Sequence, residues 1–199
     1  PEYKKNLDGI RAYLIRAILF TYFQSGTTSK LQQMKSRINE NDYEITVDML
    51  NQMNDLRVTD GKIEDILNSE KGGRVAGEAL FYLSLDWRKK HIKYEQDHLH
   101  PYERFDGNKP ISVSMEDWKG WRGNRNRLAN LHLLEGRSNA SKSDMRLADY
   151  YNDMNDEQKS EFRKQAIIPD GLSLELEYFD DFYEKRKAIL TAKIRQLLE

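Results

Sequence analysis

Two short fragments carry side chains whose types and spacing suit a cation-assisted hydrolysis. The first is Gln96-Asp97-His98-Leu99-His100-Pro101. The second runs Asn126-Arg127-Leu128-Ala129-Asn130-Leu131-His132-Leu133-Leu134 and on through Glu135 and Gly136 to Asn139, Lys142, Ser143 and Asp144. Asp97 and His98 are neighbours at the end of an expected strand, so their side chains should leave it on opposite sides. Asp97 can then hold a hard cation while His98 activates water. Asn130, inside a second expected strand, is a buried amide that must find partners, and it is placed to tie down the chain around His98. Asn139, at the start of an expected helix, offers an amide oxygen. An oxygen-rich pair of this kind suits Mg²⁺, which takes few protein ligands and keeps several waters.

The pattern resembles the HNH, or ββα-metal, endonucleases. Their first strand ends in an acidic residue, His, an aliphatic residue, any residue and Pro, as in Asp97-His98-Leu99-His100-Pro101. Their second strand carries Asn, here Asn130, and their helix opens with His or Asn, here Asn139. The Asn130-to-Asn139 spacing and the trailing Lys142-Ser143-Asp144 resemble the HNH domain of RNA-guided CRISPR nucleases. The wider run from Asn126 to Lys142 looks more like the C-terminal nuclease domain of GmrSD-type restriction systems, as does the helical region before it. The resemblance is tight over about 92–146 and loose elsewhere. Two departures stand out: His98 and Asn130 lie 32 residues apart, so an insertion separates the strands, and the four zinc-binding cysteines of some members are absent. The resemblance implies His98 as general base, Asp97 and Asn139 as ligands of one Mg²⁺ (or Mn²⁺), and Asn130 as the residue that orients His98. It also implies 5′-phosphate and 3′-hydroxyl products and, from one site, a nick. The parent would be an antiphage restriction protein acting on foreign or modified DNA, with a nucleotide-hydrolysing or sensing domain N-terminal to these residues.

The elements that must position these residues are mostly helical. Ile10, Leu14, Ala17, Ile18 and Phe23 predict a helix over 8–24, stopped by Gly26. Further helices are expected from Thr28 to about Ile38, after Thr46 as N-cap, around Ile63–Leu67, and over 74–85 beyond Gly72-Gly73. Then the character changes. Residues 92–99 read as a strand, 102–126 as a long loop with a helical turn near Met115–Trp118, and 128–134 as a second strand. A helix capped by Ser138 or Asn139 should follow to about Tyr150. Asn155 or Asp156 opens another to Ala166, and Ser173 caps a long one to the C-terminus. The fold class expected is therefore α+β, predominantly helical: a helical bundle flanking a ββα-metal core. Its regions are 1–90, helical; 91–150, the core with an inserted loop over 101–127; and 151–199, helices packing on that core.

Charge points the same way. The whole chain carries −1, but Asp86 to Arg146 holds 13 Lys and Arg against 9 Asp and Glu, together with all four histidines. A basic region in a neutral chain suits a polyanion as readily as it suits a mixed solvated surface. Within it, Trp118 to Arg127 has four cations, no acid and two indoles. Lys119, Arg122, Arg125 and Arg127, with Lys142, are the candidate DNA contacts, and the tryptophans either stack on bases or anchor the loop. A chain of 199 residues with 38% hydrophobic and 33% charged composition can bury a core and is too polar for a membrane protein. It has no cysteine, which excludes disulfides and fits a cytoplasmic location. It opens at Pro1 rather than Met and reads as a piece of a longer protein.

Plainer readings stand beside these. Asp97 can pair with Arg127, Asn139 can be a helix cap, and Lys142 can lie on a solvated helix face. His100 and His132 are expected at the surface or behind the site, although with His98 they make a possible zinc set. The competing function is a non-catalytic DNA-binding or interaction module on a degenerate HNH scaffold.

Overall fold

The computed structural model describes residues 2–136, 142 and 144–199. Helices α1 (Glu2–Leu19), α2 (Thr27–Glu40), α3 (Val47–Gln52), α4 (Asp60–Leu67) and α5 (Arg74–Leu83) come first. Strand β1 (Tyr94–His98), α6 (Met115–Asn124) and β2 (Leu131–Glu135) follow, then α7 (Leu147–Asn152), α8 (Asp156–Ala166) and α9 (Phe179–Leu198). The fold is α+β and mainly helical, with one two-stranded antiparallel sheet among the described residues. No helix among them is long and apolar enough to cross a membrane.

Caps and breaks explain most of the boundaries. α1 ends at Leu19 rather than near residue 24, because Thr21 takes a left-handed conformation (φ 51°) and the chain tightens into a 3₁₀ turn over Tyr22–Gln24. Gly26 (φ 63°) is the cap of α2, not the stop of α1. Thr46 caps α3 by accepting from Met49 N at 3.2 Å, and Thr59 does the same for α4 through Lys62 N at 3.3 Å. α8 has a complete capping box between Asn155 and Gln158. The last helix starts later than Ser173. Leu172 and Leu174 are both buried, which needs an extended segment there, and Ser173 Oγ accepts locally from Glu175 N.

The stretch 102–126 is not one loop. It contains a 3₁₀ turn, Tyr102–Phe105, and the ten-residue helix α6, which Ser114 caps through Asp117 N at 3.0 Å. Gly120 and Gly123 lie inside that helix. Nor is 128–134 a continuous strand: Leu128–Asn130 form a 3₁₀ turn and β2 begins at Leu131. Arg186 supplies the reason. Fully buried in α9, its guanidinium donates to the carbonyls of Leu128, Ala129 and Leu131 and to that of Ala166. The first of these carbonyls are therefore turned away from any partner strand. The helix expected from Ser138 or Asn139 begins outside the described residues. Its later part is interrupted, since Met145 and Arg146 are non-helical and α7 starts at Leu147.

Two strands alone are marginally stable, so the sheet depends on what covers it. One apolar core joins Ile15 and Leu19 of α1, Ala76 and Leu80 of α5, Leu99, Leu131, Phe162 and the inward stripe of α9 (Phe179, Phe182, Tyr183, Leu190, Ile194, Leu198). All three regions of the sequence contribute to it. A smaller cluster, including Met34, Leu50 and Leu56, seats α2 and α3 against α1.

Candidate active site

β1 and β2 pair with Asp97 opposite His132 and His98 opposite Leu131. Asp97 and His98 are the last two residues of β1. Both reach one ammonium: Lys71 Nζ lies 3.9 Å from Asp97 Oδ1 and 3.4 Å from His98 Nδ1. Together with Pro101, Glu103, Lys142 and Asp144 they line a cleft of about 210 Å³.

Asp97 pairs with Lys142, not Arg127. Lys142 Nζ is 2.7 Å from Asp97 Oδ2 and also donates to the carbonyl of His98. The lysine is 1% exposed, so it does not lie on a solvated helix face. Burial alone would raise the Asp97 pKa. The contacts with His132 and Lys142 outweigh it and hold the carboxyl well below its usual range. Burial lowers the Lys142 pKa, against the pull of Asp97. The pair is thus a charged one at neutral pH, set into the wall of the cleft.

His98 Nε2 lies 3.0 Å from Asn126 Oδ1, and Asn126 Nδ2 donates to Glu70 Oε2 at 3.1 Å. Burial lowers the His98 pKa, the Asn126 contact opposes this, and the Lys71 charge adds to the lowering. The imidazole is therefore neutral near pH 7, the form a general base requires. Asn130 is fully buried just before β2 rather than within it. Its Oδ1 accepts from His100 N at 3.0 Å, and its Nδ2 donates to the carbonyls of His100 (2.9 Å) and Arg125 (2.7 Å). It staples the main chain just past His98 without touching the ring.

The other two histidines are not at the surface. His100 is 2% exposed and packs edge-on against Phe179 and Phe182, where burial takes its pKa down to about 3. His132 is 3% exposed, with Nε2 3.5 Å from Asp97 Oδ2, and burial takes it down to about 4. Among the described residues no three histidine or carboxylate side chains converge on a common point, the zinc set of His98, His100 and His132 included. Asn139 lies outside the described residues.

The basic residues divide. Lys119 and Arg122 are exposed, Arg122 beside Asp106 at 3.4 Å. Arg125 is largely covered: it stacks on the Tyr102 ring, 3.6 Å from its centroid, bonds to the Tyr102 hydroxyl and pairs with Asp106 at 2.6 Å. Arg127 donates to Asn124 Oδ1 at 3.1 Å and flanks Tyr183. Trp118 and Trp121 are buried against Phe105 and Phe179, which removes them as stacking platforms and makes them anchors of the insert.

Sequence reading missed Lys71 and Glu70, and it gave Asn126, the first residue of the second fragment, no role. Gly72-Gly73 marked only a break between helices. Yet the segment ahead of it docks on both halves of the site: Lys71 N donates to Asn126 O, Leu128 N to Ser69 O and Gly72 N to Gln96 Oε1, and Glu70 bridges Arg127. Arg186 carried a legible signal, since it falls on the same three- and four-residue stripe as Phe182, Tyr183 and Leu190.

Compared with known proteins, the chain matches no family model, and no characterised protein matches it.

Proposed function

We propose that this chain is a metal-dependent DNA nickase domain that hydrolyses phosphodiester bonds at the Asp97–His98 cleft. One observation carries the reading: a neutral imidazole opens onto a polar cleft beside an ionised buried carboxylate and an ammonium group. In this mechanism His98 takes a proton from water as the water oxygen bonds to phosphorus. The bond from phosphorus to the 3′ oxygen breaks, and the departing oxygen gains a proton from solvent. Lys71 lies where it can offset charge on the phosphate oxygens. Asn130 acts from behind, holding the chain that follows His98.

The donor chemistry fits a hard divalent cation. Asp97 stays ionised, and Glu103 and Asp144 line the same cleft, so hard oxygen donors are gathered there. Asp97, with Asn139, would hold Mg²⁺ or Mn²⁺, which when bound supplies Lewis-acid stabilisation of charge on the phosphate. Lys119 and Arg122 offer exposed cations for the DNA backbone. In the fuller reading the domain is the effector of an antiphage restriction protein with a separate sensing domain.

Supercoiled plasmid with Mg²⁺ or Mn²⁺ tests the proposal. Relaxed circles are expected from the wild type, and about 100-fold fewer from His98→Ala at unchanged DNA affinity. Equal nicking by that variant would remove His98 as the base. One observation favours the competing reading of a non-catalytic DNA-binding module: the ammonium of Lys142 occupies Asp97 Oδ2. Plasmid binding without nicking at any divalent cation concentration would decide for that module.

A further inference from the structure

We infer that Glu70 and Asn126 are positioning residues that fix the tautomer of His98, so that Nδ1, on the Lys71 side, is the nitrogen that accepts the proton. The inference rests on the reading of His98 as a general base and adds to it two residues outside the Asp-His-x-x-Pro and Asn elements.

Donor and acceptor chemistry fixes each contact. An ionised carboxylate only accepts, so the group that Glu70 Oε2 meets at 3.1 Å must be the Asn126 amide nitrogen. That choice turns Asn126 Oδ1 toward His98. An amide oxygen also only accepts, so the ring nitrogen 3.0 Å from it, Nε2, must carry the hydrogen. With its hydrogen on Nε2, the ring presents its lone pair at Nδ1. What Nδ1 meets agrees: the nearby group is Lys71 Nζ at 3.4 Å, a donor with no lone pair when charged. The Glu70–Asn126 relay on one side of the ring and Lys71 on the other thus give one assignment.

The main chain holds this relay in place. Glu70 and Arg127 form an antiparallel bridge across it, Lys71 N donates to Asn126 O at 3.0 Å, and Gly72 N is held by Gln96 Oε1 at 2.9 Å. The turn is tight: Gly72 sits at φ 80°, and a Cβ on Gly73 would come within 2.9 Å of the Glu70 carbonyl. The main chain of Glu70 is thus fixed beside Asn126, and its side chain reaches the amide from that anchored backbone. A tautomer-fixing partner behind a base follows the logic by which a third group orients histidine in hydrolytic triads. Here that partner comes from the region between α4 and α5, far from the two motif elements in sequence.

The test uses the full chain with ¹⁵N-labelled histidine. Long-range ¹H–¹⁵N correlation at pH 7.5, with His98→Gln to identify the ring, reads the tautomer without any assay of activity. The expected wild-type result is a protonated Nε2 and a bare Nδ1. In Asn126→Ala the two nitrogens should move toward an averaged mixture, and nicking should fall by about 100-fold with little change in KM. Glu70→Gln, at an exposed position, frees the Asn126 amide to turn and should shift the ring nitrogens in the same direction, which covers the case in which Asn126→Ala does not fold. A wild-type ring protonated at Nδ1, or a tautomer unmoved in both variants, overturns the inference. If the tautomer follows Asn126 and Glu70 while the wild type never nicks DNA, the positioning assignment stands and the hydrolase reading fails.

Discussion

The single most exposed weakness of the site, at the level of one residue, is the Asp97–Lys142 pair. Removing one partner of a buried pair leaves the other charge unpaired, which costs more than the pair itself contributes. Lys142→Met should therefore lower stability by about 3 kcal/mol, read from urea denaturation at pH 7. The same variant separates the two readings of the cleft. If Asp97 takes a divalent cation, Mg²⁺ should raise the melting temperature of Lys142→Met more than that of the wild type, because the cation now meets an uncompensated carboxylate. An equal response of both proteins would remove Asp97 as a ligand. At this scale the sequence was only partly legible. Asp97, His98 and Asn130 stood out by type and spacing. Lys71 and Asn126 did not, because their roles come from a turn that docks on β1 from more than twenty residues away. No local pattern encodes such a contact.

Elements tell a similar story, with different causes. The helices were readable wherever a stripe and a cap coincided, as at Thr46 and Asn155. Only the first turn of α6, near Met115–Trp118, was legible, because Gly120 and Gly123 argue against a helix beyond it, while Ser114 and the packing of Trp118 and Trp121 outweigh them. Ser114→Ala should lower stability by about 1 kcal/mol, measurable as a drop in urea midpoint. The start of β2 was misread because the hydrophobic run from Leu128 to Leu134 satisfies a strand as well as it satisfies a buried turn followed by one. Arg186 decides between them. Arg186→Met should cost more than about 3 kcal/mol, since several buried carbonyls lose their donors together. Lost protection of the amides of β2 in hydrogen exchange would show where the damage falls.

For the molecule as a whole, the shared core ties all regions together, and one of its polar members makes the fold sensitive to acid. His100 is pushed from an ordinary 6.5 down to about 3 by burial, with the Lys142 charge adding to the shift. The unfolded chain therefore binds a proton that the folded one refuses. Stability is full above about pH 6.5 and falls as the pH drops toward 3. Between pH 7.5 and pH 5 this one group should remove about 2 kcal/mol. Denaturation at the two pH values checks it: His100→Leu should remove that share of the dependence and leave the share that His132, also taken down by burial, contributes in the same direction. Asp97 adds its own loss only at lower pH, below the usual carboxylate range.

The clamp that Arg186 and Asn130 place around the 3₁₀ turn before β2 has an evolutionary corollary. A hairpin ordinarily takes its strand offset from the few residues that connect it. Here Asn130 grips the backbone leaving one strand and Arg186 grips the backbone entering the other. The alignment of the two strands is thereby uncoupled from whatever lies between them. The tip over residues 107–112 can therefore be lengthened, trimmed or exchanged while Asp97, His98 and Asn130 keep their places relative to one another, so variation can accumulate there at little cost to the fold.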